Sequence, residues 1–368
     1  MTGKYKIVAM PGDGVGPELM KEVLKVLEAA QEVTPGLSLE FDEVDAGATL
    51  YKKTGSPFPP GLYDICEKAD AFFKGPMGLP GVRHPDGSEI GQDVLLGLRR
   101  RFDLYVNLRP AKLYQGVSCP IVGKKAGDID LVIARENTEG LYASHGAGII
   151  LRDEVATDTL LITRKGTERI VRFAFEYARK RSGAPLDGKR RVTCIDKSNV
   201  LKSYAFFRRV FDEVAKGYPE IERDYAYVDA MTQWLVRKPE WYDVVVAENI
   251  FGDILSDLAA VLVGGMGLCP SMNAGDEHAM FEPIHGSAPA HTGKNDVNPI
   301  ASILSGKMML EWLADRHEDK AARAAAARIE KGVTSTLAEG KVRTYDLGGS
   351  SKTSEMGSAI AQRVRQLK

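Results

Sequence analysis

The chain has 368 residues, of which 44% are apolar and 27% are charged, the balance of an ordinary globular protein, and this length predicts two domains. Its 49 Lys and Arg residues against 50 Asp and Glu residues leave a formal charge of −1, which excludes bulk electrostatic attraction to nucleic acid or to an anionic membrane. Four distant cysteines with no CxxC pair predict neither a disulfide framework nor a cysteine zinc site. No apolar run approaches the roughly 18 residues of a membrane span, and the N-terminus resembles neither a signal nor a transit peptide, so we expect a cytoplasmic protein.

Strand-like and helix-like segments alternate along the chain, which predicts an α/β fold with a substantial parallel sheet. The predicted buried strands are Tyr5–Met10, Ala71–Lys74, Leu104–Leu108, Asp130–Ala134, Arg191–Ile195 and Asp243–Ala247. The predicted helices are Glu18–Ala30, Val94–Arg101, Thr167–Lys180, Val200–Ala215, Phe251–Leu262 and Pro299–Leu313. Gly140–Arg164 lacks a helical period and is rich in glycine and then in Val, Thr, Leu and Ile, so we expect an extended arm or hairpin. The alanine-rich segment Glu318–Lys331 predicts a solvated surface helix.

Two glycine-containing segments have the composition of ligand-binding turns. Gly12–Glu18 (GDGVGPE) lies between a predicted strand and a predicted helix, where backbone N–H groups can approach a ligand. It is neither the dinucleotide fingerprint GxGxxG nor a Walker A loop. The second segment, His285–Pro289 (HGSAP), would let the backbone approach a flat or polyphosphate ligand. Taken alone, each is equally well explained as an ordinary turn or loop.

Three arginines and two aspartates predict a site for an anionic ligand and a cation. Arg109 and Arg135 end predicted strands and Arg99 lies in a neighbouring helix, positions suited to bidentate capture of carboxylates or phosphates. Asp253 and Asp257 are four residues apart, so one helix face carries both, and their oxygens suit Mg²⁺ or Mn²⁺. A solvated acidic face is the simpler interpretation of such a pair taken alone.

The segments YVNLRP, ARENTEGLY, DKSNVL, ENIFGDILSDL and FEPIHGSAP, in this order, resemble the β-decarboxylating dehydrogenases of (2R)-hydroxy acids. That family includes the isopropylmalate, isocitrate, homoisocitrate, tartrate and D-malate dehydrogenases. The resemblance spans essentially the whole chain and implies the family's two-domain α/β fold, not a Rossmann fold. It implies a large domain of residues 1–104 and 264–368 with most of the cofactor site. It also implies a small dimerisation domain of residues 105–263, with an arm near 140–164.

The resemblance also implies roles for individual residues. Arg99, Arg109 and Arg135 correspond to the arginines that hold the malate carboxylates, and Tyr142 to the tyrosine that protonates the product enol. Lys197 corresponds to the lysine that transfers the C2 hydroxyl proton. The metal-binding aspartates correspond to Asp229, Asp253 and Asp257, and the cofactor-binding positions to Asn199, His285, Gly286, Ser287, Ala288, Asn298 and Asp346. The implied assembly is a homodimer whose partner subunit supplies the equivalents of Lys197 and Asp229.

The implied reaction is oxidative decarboxylation of a small hydroxy acid to a 2-oxo acid and CO₂, with Mg²⁺ or Mn²⁺ and a nicotinamide cofactor. Leu95 and Leu96 resemble the paired leucines that contact the alkyl group of isopropylmalate, whereas Gln92 stands where that pattern has a glutamate. The segments YVNLRP and KAGDIDLVIARENTEG are closer to tartrate and D-malate dehydrogenases. We therefore expect 3-isopropylmalate, D-malate or a tartrate-like acid as substrate. Isocitrate, homoisocitrate and a non-catalytic regulatory subunit of the same fold are the alternatives.

Features of the sequence bear on whether the cofactor is NAD or NADP. NAD-using members commonly have an aspartate directly after HGSAP, where this chain has Ala290. The lysine–tyrosine pair of bacterial NADP-dependent isocitrate enzymes is missing as well, and the DLGG segment near the C-terminus resembles NAD users. We expect NAD. A metal-dependent phosphoryl-transfer enzyme is the alternative from a different class, but the phosphate-cradling loop that it would need is absent from the sequence.

Overall fold

A computed structural model describes residues 3–367. The described strands are β1 (Gly3–Met10), β2 (Leu37–Glu43), β3 (Ala71–Lys74), β4 (Val106–Lys112), β5 (Asp130–Glu136), β6 (Ile149–Leu151), β7 (Val155–Thr157), β8 (Arg191–Asp196), β9 (Glu222–Tyr227), β10 (Val244–Ala247), β11 (Pro270–Ala274) and β12 (Ala279–Pro283). The described α-helices are α1 (Gly16–Glu32), α2 (Ala48–Thr54), α3 (Leu62–Glu67), α4 (Ile90–Arg101), α5 (Arg164–Lys180), α6 (Lys202–Ala215), α7 (Val228–Arg237), α8 (Asn249–Leu262), α9 (Ile300–His317), α10 (Lys320–Glu339) and α11 (Thr353–Gln366). Within residues 3–367, no helix combines the length and apolar character that crossing a membrane requires.

The first compact unit contains both ends of the described chain. It runs to Phe102, includes Tyr114–Ser118 and resumes at Gly264. Its strands lie in the order β2-β1-β3-β12-β11, parallel except for the antiparallel pair β11 and β12. Helix α9 packs on β11 and β12 and also on α1 and α10. It is buried on most of its surface, so it forms the centre of this unit's core.

Helix α10 differs from the solvated helix predicted over Glu318–Lys331. One face is buried against α9, α11 and α1. That face carries Ala322, Ala325, Ala326, Ile329, Val333 and Leu337. These positions recur every three or four residues, so the segment has an amphipathic period that its alanine content obscured. The expectation of a solvated helix was therefore wrong.

The second unit comprises residues Asp103–Leu113 and Cys119–Val263. Its strands lie in the order β4-β5-β10-β8-β9, with β4 antiparallel to β5 and the remaining neighbours parallel. Helices α5 and α6 pack together, and so do α7 and α8. Within the segment 140–164, β6 and β7 form an antiparallel hairpin whose apolar side chains are exposed. Assigning cofactor binding to the first unit and dimerisation to the second stays a prediction.

The glycine-rich turn after β1 organises loops of the first unit. The Asp13 carboxylate accepts hydrogen bonds from the N–H groups of Ala48 and Thr49, at the start of α2, and of Gly78, at 2.7–2.8 Å. It therefore caps a helix that lies more than thirty residues away along the chain. Gly14 has a φ of 61°, and a Cβ there would lie 2.0 Å from the Ser287 carbonyl oxygen. This turn and the HGSAP loop consequently pack backbone against backbone.

Candidate active site

Arg109 and Arg135 lie on adjacent antiparallel strands of the second unit. Arg109 on β4 is opposite Ile133, and Arg135 on β5 is opposite Asn107, so the two arginines are diagonal neighbours on one face of the sheet. The Nη1 atoms of Arg109 and Arg135 donate to the same oxygen, Oδ1 of Asp253, at 2.9 Å and 2.5 Å. Both arginine side chains are buried, at 10% and 2% exposure. The strand register therefore directs two fixed cations at one carboxylate of α8.

Helix α8 supplies two further partners of these arginines. Oδ1 of Asn249 accepts from Nε and Nη2 of Arg135 at 3.0 and 2.7 Å, and Oγ of Ser256 accepts from Nη1 of Arg109 at 2.8 Å. Asn249, Asp253 and Ser256 are spaced by four and three residues, which places them on one face of the helix. Each guanidinium is thus oriented by one neutral and one charged group on the same helix.

Tyr142 points at the same aspartate. It lies in the short 3₁₀ turn Leu141–Ser144, and its hydroxyl donates to Oδ2 of Asp253 at 2.9 Å. The Arg135 guanidinium carbon is 5.4 Å from the centre of the Tyr142 ring. The turn is preceded by Gly140 with a φ of 75°, where a Cβ would lie 2.8 Å from Cβ of Asn249. The chain can therefore bring Tyr142 to Asp253 because Gly140 has no side chain.

Asp257 lies one turn beyond Asp253 and is more open. Its carboxylate is 57% exposed and lies 3.6 Å from Nη1 of Arg109. Partial burial raises the pKa of Asp257, Arg109 opposes that change, and the neighbouring Asp253 adds to it. A half-exposed carboxylate beside a second carboxylate is a pair whose repulsion a cation would relieve.

Lys197 and Asp229 form a separate pair in the second unit. Lys197 follows β8, Asp229 lies in the first turn of α7, and Nζ of Lys197 is 2.7 Å from Oδ1 of Asp229. The hydrogen bond from Lys197 lowers the pKa of Asp229, which is 66% exposed. Asn199 lies in the exposed turn that follows Lys197. Across residues 3–367, no group of three or more His, Cys, Asp and Glu side chains is placed to hold a metal ion, so one chain does not gather all three predicted aspartates.

The third predicted carboxylate-binding arginine, Arg99, lies in the first unit within a buried charged cluster. Its Nε donates to Oδ1 of Asn273 at 3.0 Å, and Nη2 lies 3.7 Å from the carboxylate of Glu282. Lys74 Nζ lies 2.8 Å from the other oxygen of Glu282. Burial raises the pKa of Glu282, but Lys74 and Arg99 outweigh it and lower that pKa to about 2. Lys74 and Arg99 thus share one buried carboxylate partner.

The predicted substrate-contact leucines lie on the same helix as Arg99. Leu95 and Leu96 are half-buried on α4, and Gln92 is exposed. Near the start of α4, Oδ2 of Asp93 lies 2.6 Å from Nε2 of His84. This contact connects the loop before α4 to the helix that carries the leucines.

The predicted cofactor residues all lie in the first unit except Asn199. Ser287 donates from Oγ to the carbonyl of Gly78 at 2.5 Å, and Ala288 has a φ of 39°. Asn298 Nδ2 donates to Oδ2 of Asp346 at 3.0 Å, so these two members of the set are in contact. The loop His285–Ala288 joins β12 to the 3₁₀ turn Pro289–His291. Side-chain hydrogen bonds therefore hold the segments that carry Ser287 and Asn298.

A family model described as isocitrate/isopropylmalate dehydrogenase matches residues 6–360. The chain belongs to this family. The predicted family, fold class and enzyme class are thereby confirmed: the chain is an α/β decarboxylating dehydrogenase that acts on a CH–OH group. Membership in the isocitrate/isopropylmalate dehydrogenase family implies a nicotinamide cofactor and a divalent metal.

Relatives with assigned activities cover nearly the whole chain. A 3-isopropylmalate/3-methylmalate dehydrogenase of Methanocaldococcus jannaschii is 43% identical over 98% of this chain and 99% of its own. A 3-isopropylmalate dehydrogenase of Zymomonas mobilis is 40% identical over 96% of this chain and 98% of its own. Among solved structures, isocitrate dehydrogenase from Methylococcus capsulatus has a TM-score of 0.85 and 39% identity, covering 98% of this chain and 100% of that one. These relatives belong to the same family, but the substrates in their names differ.

The structure adds residues that the motifs did not single out. Asn249 and Ser256 orient the arginines, and Gly252 lets α8 lie directly on Arg135, because a Cβ there would be 2.7 Å from Cβ of Arg135. Lys74 joins the cluster around Arg99. The helical spacing of Asn249 and Ser256 from Asp253 is a signal that sequence alone contains. The contacts of Gly252 and Lys74 depend on long-range packing.

Proposed function

We propose that this protein catalyses NAD- and Mg²⁺- or Mn²⁺-dependent oxidative decarboxylation of a malate that carries an alkyl group or hydrogen at C3. The observation that carries the proposal is the convergence of Arg109, Arg135 and Tyr142 on Asp253. Two cations, a phenol and a carboxylate in one place suit a dicarboxylic hydroxy acid and a divalent cation together.

The donor set fits a divalent cation, with Asp253 and Asp257 as oxygen ligands and Asp229 as a third from a second copy. When bound, that cation supplies Lewis acidity at the C2 oxygen and at the adjacent carboxylate. Arg109 and Arg135 bind the carboxylates of the substrate and fix its orientation. Tyr142 holds the proton that is delivered to C3 after CO₂ leaves.

Lys197 is the proposed base, and as the neutral amine it removes the C2 hydroxyl proton. Its Nζ lies 2.7 Å from Oδ1 of Asp229, so the two groups enter the site as a unit. NAD, when bound, would supply the acceptor for the hydride that leaves C2. The HGSAP loop, Asn298 and Asp346 are the proposed adenosine-binding groups, and Asn199 the proposed contact at the nicotinamide end.

We further propose a homodimer in which each site combines Tyr142 of one subunit with Lys197 and Asp229 of the other. Apolar side chains on the arm and on the helices α7 and α8, which pack on each other, support a second copy as the partner. They include Ile149, Ile150, Leu151, Val155, Trp234, Val236, Ile254 and Val261, each at least 37% exposed. Exposed apolar groups on packed helices and on an extended hairpin are typical of an interface between subunits.

Mixing two inactive variants tests this shared site. In a Tyr142→Phe and Lys197→Met heterodimer, one site holds both defects and the other holds none. Random reassociation would therefore restore about a quarter of the wild-type activity. If each subunit contained its own complete site, the mixture would stay as inactive as its components, and the shared site would be rejected.

The half-buried Leu95 and Leu96, together with relatives named for 3-isopropylmalate, support an alkyl substituent at C3. Each buried methylene contributes about 0.8 kcal/mol. The 39% identity to a solved isocitrate dehydrogenase favours a second candidate, a substrate with a third carboxylate such as isocitrate. The test is kcat/KM for 3-isopropylmalate, D-malate, tartrate and isocitrate. Isocitrate as the best substrate would overturn the first choice.

Carboxylates near the proposed adenosine site support NAD over NADP. The His291 ring stacks on Tyr345, with centroids 5.2 Å apart, and His291 Nδ1 lies 2.9 Å from Asp296. Burial raises the pKa of Tyr345, and the nearby carboxylates of Asp346 and Asp296 add to this, so two negative groups lie near its ring. They would repel a 2′-phosphate. Calorimetric titration with each cofactor tests this, and tighter binding of NADP would contradict it.

A further inference from the structure

We propose that Asn249 is a positioning residue that holds Arg135 and the backbone leading to Tyr142 in register with each other. The inference rests on the proposed roles of Arg135 in carboxylate binding and of Tyr142 in protonation. Asn249 is the first residue of α8 and is fully buried. A buried side-chain amide is retained where its donors and acceptors have partners.

The two ends of the Asn249 amide serve different parts of the site. Oδ1 accepts from Nε and Nη2 of Arg135 at 3.0 and 2.7 Å, so it fixes the plane of the guanidinium. Nδ2 donates to the carbonyl oxygen of Glu139 at 2.9 Å. Glu139 precedes Gly140 and the turn that carries Tyr142. One planar group therefore joins a binding residue to the segment that places the acid.

The surroundings leave this amide little freedom to move. Gly140 lies so close that a Cβ there would be 2.8 Å from Cβ of Asn249. On the other side, Glu248 caps α8 by accepting from the N–H of Ile250 at 3.0 Å, which fixes the first turn of the helix. Rotation of the amide by half a turn would set its NH₂ group against the Arg135 guanidinium, which has only donors. The orientation is consequently determined by the network.

The chemistry of the amide separates its two connections experimentally. Asn249→Asp keeps an acceptor for Arg135 but replaces the donor to Glu139 with an oxygen that repels the carbonyl. Asn249→Ala removes both connections. We expect Asn249→Asp to keep the KM for the hydroxy acid within about threefold of wild type while slowing protonation about tenfold or more. Asn249→Ala is expected to raise KM about tenfold and to slow protonation as well.

Protonation is measured without turnover of the cofactor. The product 2-oxo acid is incubated in D₂O with enzyme and Mg²⁺, and deuterium incorporation at C3 is followed by proton NMR. Asn295→Asp is the matched control, because both ends of the Asn295 amide are also hydrogen-bonded, to Oγ and to the N–H of Ser354 at 2.9 and 3.0 Å, and neither residue is assigned to the site. It is expected to leave the exchange rate at its wild-type value. Melting temperatures of all variants report whether the fold is intact.

Two comparison variants separate this inference from the proposed function. Arg135→Lys should raise KM, and Tyr142→Phe should slow the exchange. If Arg135→Lys leaves KM unchanged and Tyr142→Phe leaves the exchange rate unchanged, the proposed roles of those residues fail. If both variants behave as expected but the Asn249 variants change only the melting temperature, Asn249 has a structural role alone and the inference is overturned. Equal changes in KM and exchange for Asn249→Asp would also reject the division between its two ends.

Discussion

The close packing of α8 on Arg135 can be tested at Gly252. A Cβ at this position would lie 2.7 Å from Cβ and Cγ of Arg135 and 3.1 Å from its Cα. The main chain cannot swing away, so Gly252→Ala must displace the helix or the arginine. Gly306 in α9 is the matched control. It is also a buried helical glycine, but its Cβ would meet Val23 and Leu27 at 3.4–3.5 Å, which is ordinary contact.

The two substitutions share one effect and differ in another. Alanine is favoured over glycine inside a helix by about 0.8–1.0 kcal/mol, and this difference stabilises both variants. Overpacking costs about 1–3 kcal/mol, and only Gly252→Ala incurs it. The free energies of unfolding should therefore differ by about 1–3 kcal/mol, with Gly306→Ala the more stable. At about 2–4 °C per kcal/mol for a domain of this size, the melting temperatures separate measurably.

Thermal unfolding and substrate kinetics are the two assays. Gly252→Ala should also raise the KM for the hydroxy acid, because small displacements of a binding group weaken its contacts with the substrate. Gly306→Ala should leave that KM unchanged. Equal melting temperatures together with equal KM values for the two variants would refute the packing argument.

Three other predictions concern pH, metal and assembly. The pKa of Glu282, about 2, lies below its ordinary value of 4.5, so this carboxylate stabilises the fold above pH 4.5 and less as pH falls toward 2. The free energy of unfolding of Glu282→Gln, measured with urea, should therefore fall less below pH 4.5 than that of the wild type. An equal fall in both proteins would contradict the ion pairing. Asp257→Asn should lower activity at limiting Mn²⁺ and recover with excess Mn²⁺, and full activity at limiting Mn²⁺ would reject the metal assignment. Ile150→Glu should weaken self-association, because Ile150 is 72% exposed on the arm. A molar mass by light scattering equal to that of the wild type would argue against the arm as an interface.

Apolar runs were sufficient to predict the six strands β1, β3, β4, β5, β8 and β10, but not β2, β9, β11 and β12. β3 and β10 are uninterrupted apolar segments apart from Lys74, and both are fully buried. β2 and β9 lie at the ends of their units' strand orders. β2 alternates polar with apolar residues and β9 begins with three charged residues, so no apolar run marks either strand. β11 and β12 contain buried Asn273 and Glu282, which are held by Arg99 and Lys74. Buried polar residues thus concealed the strands that carry them.

In the candidate site too, local patterns in the sequence predict some features and not others. Asp253 and Asp257 could be paired from sequence because helical spacing is local. The diagonal placement of Arg109 and Arg135 depends on strand register, which a single sequence does not specify at that point. The roles of Tyr142 and Lys197 came from the resemblance, because neither residue lies in a spacing that would single it out. Local periodicity therefore predicts sets of residues within one element, and tertiary packing decides which sets meet.

The charges on this part of the second unit explain why metal and substrate would share it. The buried side chains of Arg109 and Arg135 lie beside the carboxylates of Asp253 and Asp257, so groups of both signs meet here. A dication binding alone would add positive charge beside the arginines, and a dicarboxylate binding alone would add negative charge beside the aspartates. Both are unfavourable in a half-buried place. Bound together, the two ligands offset each other's charge. Because one helix carries the proposed metal ligands Asp253 and Asp257 and orients both arginines, each ligand acts on groups that the other also needs, and their binding is expected to be mutually reinforcing.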